Sequence, residues 1–214
     1  MTSALEPLRR LAAGRRPLGA PEARCHLCGG ELPEAHRHVV ERRQRTMACA
    51  CAACAVLGED GRGPWATIPT RVLAIPSGLL DEPTWASLAI PVRLAFIFFS
   101  SGVDRWTVLY PSPAGAAEAA VDVDGLQQIA PVAALVRAME PDVEALLIRG
   151  RTGGGFALYL APIDACYRLV GRVRKHWQGF QGGDRAWREI DSFFAELDAT
   201  ATAFAPDDDA PEAA

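Results

Sequence analysis

Five of the six cysteines in the chain fall in two short strings, CHLC from Cys25 to Cys28 and CACAAC from Cys49 to Cys54. Paired C-x-x-C thiols are the ligand layout of a tetrahedral metal site: each pair spans one tight turn, and two pairs roughly fifteen to twenty residues apart can converge four sulfurs on one ion. The first pair is Cys25 and Cys28, followed by Gly29 and Gly30, which permit the positive φ that turns backbone amides toward sulfur. The second pair is open to two readings. Cys51 with Cys54 repeats the tight turn and leaves twenty-two residues between the pairs, whereas Cys49 with Cys54 leaves twenty and stretches the step. Spacing favours Cys25, Cys28, Cys51 and Cys54 as the metal ligands, with Cys49 as the alternative ligand or the spare thiol. A disulfide framework is disfavoured in a reducing compartment.

His36 and His38 are two residues apart, so on a strand they share a side. Either one of them replaces a sulfur in a site of three cysteines and one histidine, or both stand outside the site as surface or supporting groups. Zinc closed in by four sulfurs has no open position and would contribute folding free energy rather than catalysis. Iron in the same ligand set would carry one electron. Residues 25–57 contain no aromatic residue, unlike the apolar surroundings of rubredoxin-type iron, so zinc is the expected metal and iron the alternative.

Other candidates have plainer readings. The stretch RTGGGF, Arg151 to Phe156, lacks the Lys-Ser/Thr ending of a phosphate loop and reads as a hairpin turn. Cys166 lies on the apolar face of a helix beside Tyr167, which suits an inert buried thiol. His176 near a helix C-terminus complements the helix dipole. The stretch YPSPAGAAE, Tyr110 to Glu118, joins a strand to an expected helix and offers a recognition surface, but it holds no base near a nucleophile. No Ser/His/Asp set, HExxH string or close carboxylate pair stands out, and no enzyme is indicated.

These groups must be positioned by the rest of a 214-residue chain, half of it apolar. That is enough for a small module and a domain with its own core. Residues 1–24 read as a flexible basic segment and residues 25–57 as a zinc-ribbon-like cysteine module, with two short strands between the knuckles over His36 to Met47. The stretch EDGRGPW, Glu59 to Trp65, is a turn-rich joint, residues 65–200 an α+β domain, and residues 205–214 a disordered acidic tail.

Within the domain, strands are expected over Val72 to Ile75, Arg93 to Ser100, Trp106 to Tyr110, Val143 to Ile148 and Phe156 to Leu160. Asp81 is a helix N-cap with Pro83 in the first turn, Asp124 caps a helical turn, and a further helix runs from Pro131 to about Met139. A helix from Pro162 places Ile163, Cys166, Tyr167, Val170, Val173 and Trp177 on one face at helical spacing. A last helix capped by Asp184 buries Trp187, Ile190, Phe194 and Leu197. The fold class is therefore α+β: a four-cysteine metal ribbon, then an antiparallel sheet of about five strands with helices on one face.

No run of eighteen apolar residues and no secretory leader is evident, so a cytoplasmic protein without membrane insertion is expected. Residues 1–46 carry nine arginines against five carboxylates, and residues 189–214 carry eight carboxylates and no base. A net charge of -4 and a pI near 5.6 argue against a dedicated nucleic-acid binder. The basic N-terminal region nonetheless keeps a DNA-binding regulator as an alternative.

The phrases CHLCGGEL, HRHVV, CACAACAVL, IPVRLAFIFFSS, LYPSPAGAAE, MEPDVEALLI and PIDACYRLVGRVRKHWQGFQGGDRAWREIDSFF occur in this order over nearly the whole chain. The set resembles an uncharacterised bacterial family encoded beside nickel-iron hydrogenase genes. The resemblance implies an accessory protein in the assembly, maturation or operation of an uptake hydrogenase, with a hydrogenase subunit or maturation protein as partner. It supplies no catalytic residues. The family pattern includes the whole C-x-C-x-x-C string, which leaves two readings of Cys49 open: a merely packed cysteine, the favoured one, or a thiol beside the site that receives or passes on a metal.

Overall fold

The structure, a computed structural model, describes residues 24–60, 63–119, 135–179 and 182–204. The basic segment before Arg24, the Asp124 turn and the acidic tail from Ala205 lie outside the described residues. Two sheets organise the chain. In the first, β1 (Arg37–Glu41) and β2 (Thr46–Ala50) form an antiparallel hairpin, and β3 (Trp65–Thr67) adds to the free side of β1. The two strands expected between the knuckles are thus present. β3 lies beyond the expected Glu59–Trp65 joint and pairs with β1.

The second sheet has seven strands in the order β10-β4-β9-β8-β5-β6-β7. These are β4 (Leu73–Ile75), β5 (Leu94–Ser100), β6 (Arg105–Ser112), β7 (Gly115–Ala119), β8 (Glu144–Gly150), β9 (Phe156–Pro162) and β10 (Thr202–Ala203). It is larger than the expected five strands, and it is mixed, because β10 runs parallel to β4. The two extra strands carry weak signals: β7 is GAAEA, with no β-branched or aromatic residue, and β10 is two residues long. The stretch Tyr110 to Glu118 is therefore the β6–β7 hairpin and not a strand-to-helix loop.

The expected single helical face is also corrected, because both faces of the large sheet are covered. Leu94, Phe96, Phe98, Ala145, Leu147, Ala157 and Tyr159 pack with residues of α3 (Ile163–His176) and α4 (Gly183–Thr200). On the opposite face Ala95, Ile97, Leu146, Ile148, Leu158 and Leu160 pack with Trp85 of α2 (Glu82–Ser87) and with Leu135 and Met139, the former in a helical turn at residues 135–138. Two-sided burial is why LAFIFF reads as a continuous apolar run instead of an alternating one.

Local signals explain most helix ends. Asp81 caps α2, its side chain accepting from Thr84 N at 2.9 Å, with Pro83 in the first turn. In α4 the cap is Gly182, at φ 86, and Asp184 sits inside the first turn. The buried stripe of α4 is Ala186, Ile190, Phe193, Phe194 and Leu197. Trp187 lies beside that stripe and is 46% exposed, so its expected burial is corrected. Among the described residues no helix is long and apolar enough to cross a membrane.

The small sheet is seated on the large one. Val40, Ala66 and Ile68 belong to the same buried cluster as α3 and α4. Arg42 Nε lies 3.4 Å from the buried Asp142 carboxylate, which in turn accepts from Ser101 N at 2.8 Å. Gly102, in the β5–β6 turn, comes so close that a Cβ there would collide with the Arg42 carbonyl oxygen.

Candidate metal centre

The β1–β2 hairpin has two faces, and strand alternation decides what each one carries. Val39, Ala48 and Ala50 point to one side, where they bury Cys25 with Ala55 and are flanked by Leu27, Leu32, Cys51, Cys54 and Trp65. Both knuckles meet on this side. The first is tied by Cys25 N to Gly30 O and Gly29 N to Cys25 O, each at 2.8 Å, and Gly29 alone takes the positive φ, 76°. Gly30 does not, contrary to the expectation for both glycines. The second knuckle is a helical turn: Cys51 is the N-cap of α1 (Ala52–Ala55), its carbonyl accepting from Ala55 N at 2.9 Å. Cys54, three residues on, therefore lies over Cys51 on the same side of that turn.

The four sulfurs of Cys25, Cys28, Cys51 and Cys54 lie within 4.8 Å of one another, Cys28 and Cys51 at 3.8 Å. A tetrahedral ion with metal–sulfur bonds of about 2.3 Å has sulfur–sulfur edges of about 3.8 Å, so the group is of a size to hold one. The electrostatics are asymmetric. The backbone amides of Cys51, Cys28 and Leu27 aim at the Cys25 sulfur and, against the opposing effect of burial, bring its pKa down to about 6. Cys54 goes the other way, to about 12, because its thiol proton is shared with Cys51 and Cys28 beside an already anionic Cys25. One thiolate thus stands ready among four sulfurs, and a cation is what would ionise the others.

Trp65 was invisible to a reading confined to residues 25–57. It arrives from β3 and packs on the cysteine cluster, so the absence of aromatics within the module does not describe the shell around it. The donor set accordingly fits zinc or iron.

Cys49 is not in the four-sulfur group. Its backbone clamps the first knuckle, the carbonyl accepting from His26 N at 2.9 Å and the amide donating to His26 Nδ1 at 3.1 Å. Its side chain lies on the other face of the hairpin, directly across the ladder from His38. There Cys49 Sγ and one ring nitrogen each of His36 and His38 lie within 4.8 Å of one another. His38 Nδ1 is 2.8 Å from Asp164 Oδ2, in the first turn of α3. Nothing in the sequence links Asp164 to a histidine 126 positions earlier. Of the remaining candidates, Cys166 is fully buried in the core, where burial pushes its thiol far up. Residues 151–155 form the turn of the β8–β9 hairpin, so the glycine-rich stretch is a hairpin turn as expected.

No curated protein and no solved structure matches the chain. One family model does, over residues 24–201, a span that begins beside Cys25 and ends just past α4. The chain that carries this cysteine cluster therefore belongs to the Family of unknown function DUF5947.

Proposed function

We propose that the protein is a non-enzymatic accessory protein whose Cys25, Cys28, Cys51 and Cys54 hold a structural zinc ion, and that the ion keeps one interaction surface rigid. The observation that carries the reading is the convergence of four sulfurs, on two knuckles, to the dimensions of one tetrahedral ion. Such a site has no open position for substrate, so its product is order in the segments it ties together. Those segments present apolar side chains outward: Val56 and Leu57, two and three residues after Cys54, are 59% and 64% exposed. Exposed aliphatic residues on a metal-stiffened turn suit docking to another protein.

The partner proposed is a subunit or maturation factor of a nickel-iron hydrogenase, on the strength of the sequence resemblance alone. A cytoplasmic setting, where thiols stay reduced, goes with this reading. The test has two parts. Elemental analysis and an absorption spectrum of protein purified without oxygen and without a metal-affinity column should give a zinc-containing, colourless protein. A tagged copy should co-purify a hydrogenase subunit, and Leu57→Asp should abolish that recovery with the zinc retained; recovery of no such subunit would remove the hydrogenase assignment.

The apolar shell of Leu27, Leu32 and Trp65 favours one second reading, a rubredoxin-like iron site carrying an electron. Visible charge-transfer bands that bleach on reduction would establish it in place of zinc.

A further inference from the structure

On the face of the hairpin away from the four-cysteine cluster, the side chains of His36, His38 and Cys49 converge without sharing any residue with that cluster. Both imidazoles have one nitrogen committed. His36 Nδ1 is 2.9 Å from the carbonyl oxygen of Pro33, and His38 Nδ1 is 2.8 Å from Asp164 Oδ2. A carbonyl can only accept and an ionised carboxylate can only accept, so each Nδ1 carries a proton, and in the neutral imidazole each Nε2 then presents a lone pair. His36 Nε2 is buried and has no hydrogen-bond partner. An unmatched buried acceptor of this kind is unfavourable, and an occupant of the space it faces would account for it.

Cation-ligating histidines are held in the same way: the outer nitrogen donates to a carbonyl or carboxylate, which fixes the tautomer and aims the inner lone pair. Here both outer partners are in place, and the third donor is a thiol that strand register sets opposite His38. We propose that His36 Nε2, His38 Nε2 and Cys49 Sγ form a second metal site, for a divalent cation of the zinc class, with Asp164 and the Pro33 carbonyl orienting the two imidazoles.

Two nitrogens and one thiolate are a borderline donor set, matched to zinc and its neighbours and poorly to calcium or magnesium. Three protein ligands leave a tetrahedral ion one position for water or an incoming ligand, unlike the closed four-sulfur site. On binding, the Cys49 thiol gives its proton to solvent and the two neutral imidazoles give none. All three residues are partly exposed, which leaves the site open to a cation from solution. The Asp164 contact also ties one of the ion's ligands to α3, so loading the site would stiffen the joint between the small sheet and the large one.

The test uses the full chain, stripped of metal under reducing conditions and titrated with Co2+ and then Zn2+ against a chromophoric chelator. Two equivalents are expected for the wild type, and one for Cys49→Ser, His36→Ala or His38→Ala, with the four-thiolate cobalt bands retained as evidence of folding. Asp164→Asn should weaken the second equivalent about 10- to 100-fold and leave the first unchanged. A single equivalent in the wild type overturns the proposal with no variant needed. So does a second equivalent that survives in all three ligand variants. Failure of the four-cysteine site would be seen separately, as loss of the thiolate-rich bands in the wild type.

Discussion

At the scale of single residues, the cysteine cluster has a pH dependence whose sign follows from its two shifted thiols. Cys25 is lowered from an ordinary value of 9.0 to about 6 by amide hydrogen bonds. A group depressed in the folded state stabilises it fully above its unfolded pKa and loses that contribution as pH falls through the folded one. Cys54 is raised to about 12, so its contribution is present below pH 9 and is lost as pH rises through 12. For metal-free, reduced protein the two effects together predict a denaturation midpoint that climbs from pH 6 to 9 and falls beyond it. Cys25→Ser should flatten the rising limb, and a urea midpoint independent of pH between 6 and 9 would contradict the assignment. The midpoint of the zinc-loaded protein should rise more steeply over the same range, because the metal keeps all its thiolates ionised while the thiols of the unfolded chain still hold their protons below pH 9.

At the scale of elements, close approach matters more than propensity at the joint between the sheets. Gly102 has no positive φ, yet a Cβ there would collide with the Arg42 carbonyl oxygen in the β1–β2 turn, which cannot swing aside as a side chain could. Gly102→Ala should therefore cost about 1–3 kcal/mol, the range for overpacking. Gly171, inside α3 with nothing within 4 Å of its Cβ position, is the opposite case. Gly171→Ala should stabilise by about 0.5–1 kcal/mol, since only the helical entropy term changes. Equal denaturation midpoints for the two variants would refute the close-approach argument. The same contrast marks what was legible in the sequence. Asp81 and Pro83 announced α2 because a cap is local, and Arg93 to Ser100 announced β5 because two-sided burial writes a continuous apolar run. Gly102, Trp65 and Asp164 gave no signal, because what each meets is set by a strand or helix far away in the chain. Cys49 was legible as different from Cys51 by spacing, but its pairing with His38 needs the hairpin register.

At the scale of the whole molecule, the question is how far the order imposed by a metal reaches. The hairpin is shared: Val39, Ala48 and Ala50 bury the cysteine cluster, while Val40 on the other face belongs to the core under α3 and α4. The large sheet has its own support, since β8 and β9 pair along their full length and are covered on both faces. Metal removal should therefore unfold locally rather than globally, in the manner of a low-stability unit attached to a high-stability one. Hydrogen exchange on chelator-treated, reduced protein should show amides of the two knuckles and of β2 losing protection by orders of magnitude. The amides of β8 and β9 should keep theirs, and β1, held by Val40 and β3, should be intermediate. Uniform loss of protection through β8 and β9 would mean that the metal supports the entire fold, whereas no change at β2 would mean that the knuckles stand without it. Intermediate protection at β1 is the informative outcome, because β1 is the strand through which the ordering of one sheet reaches the other.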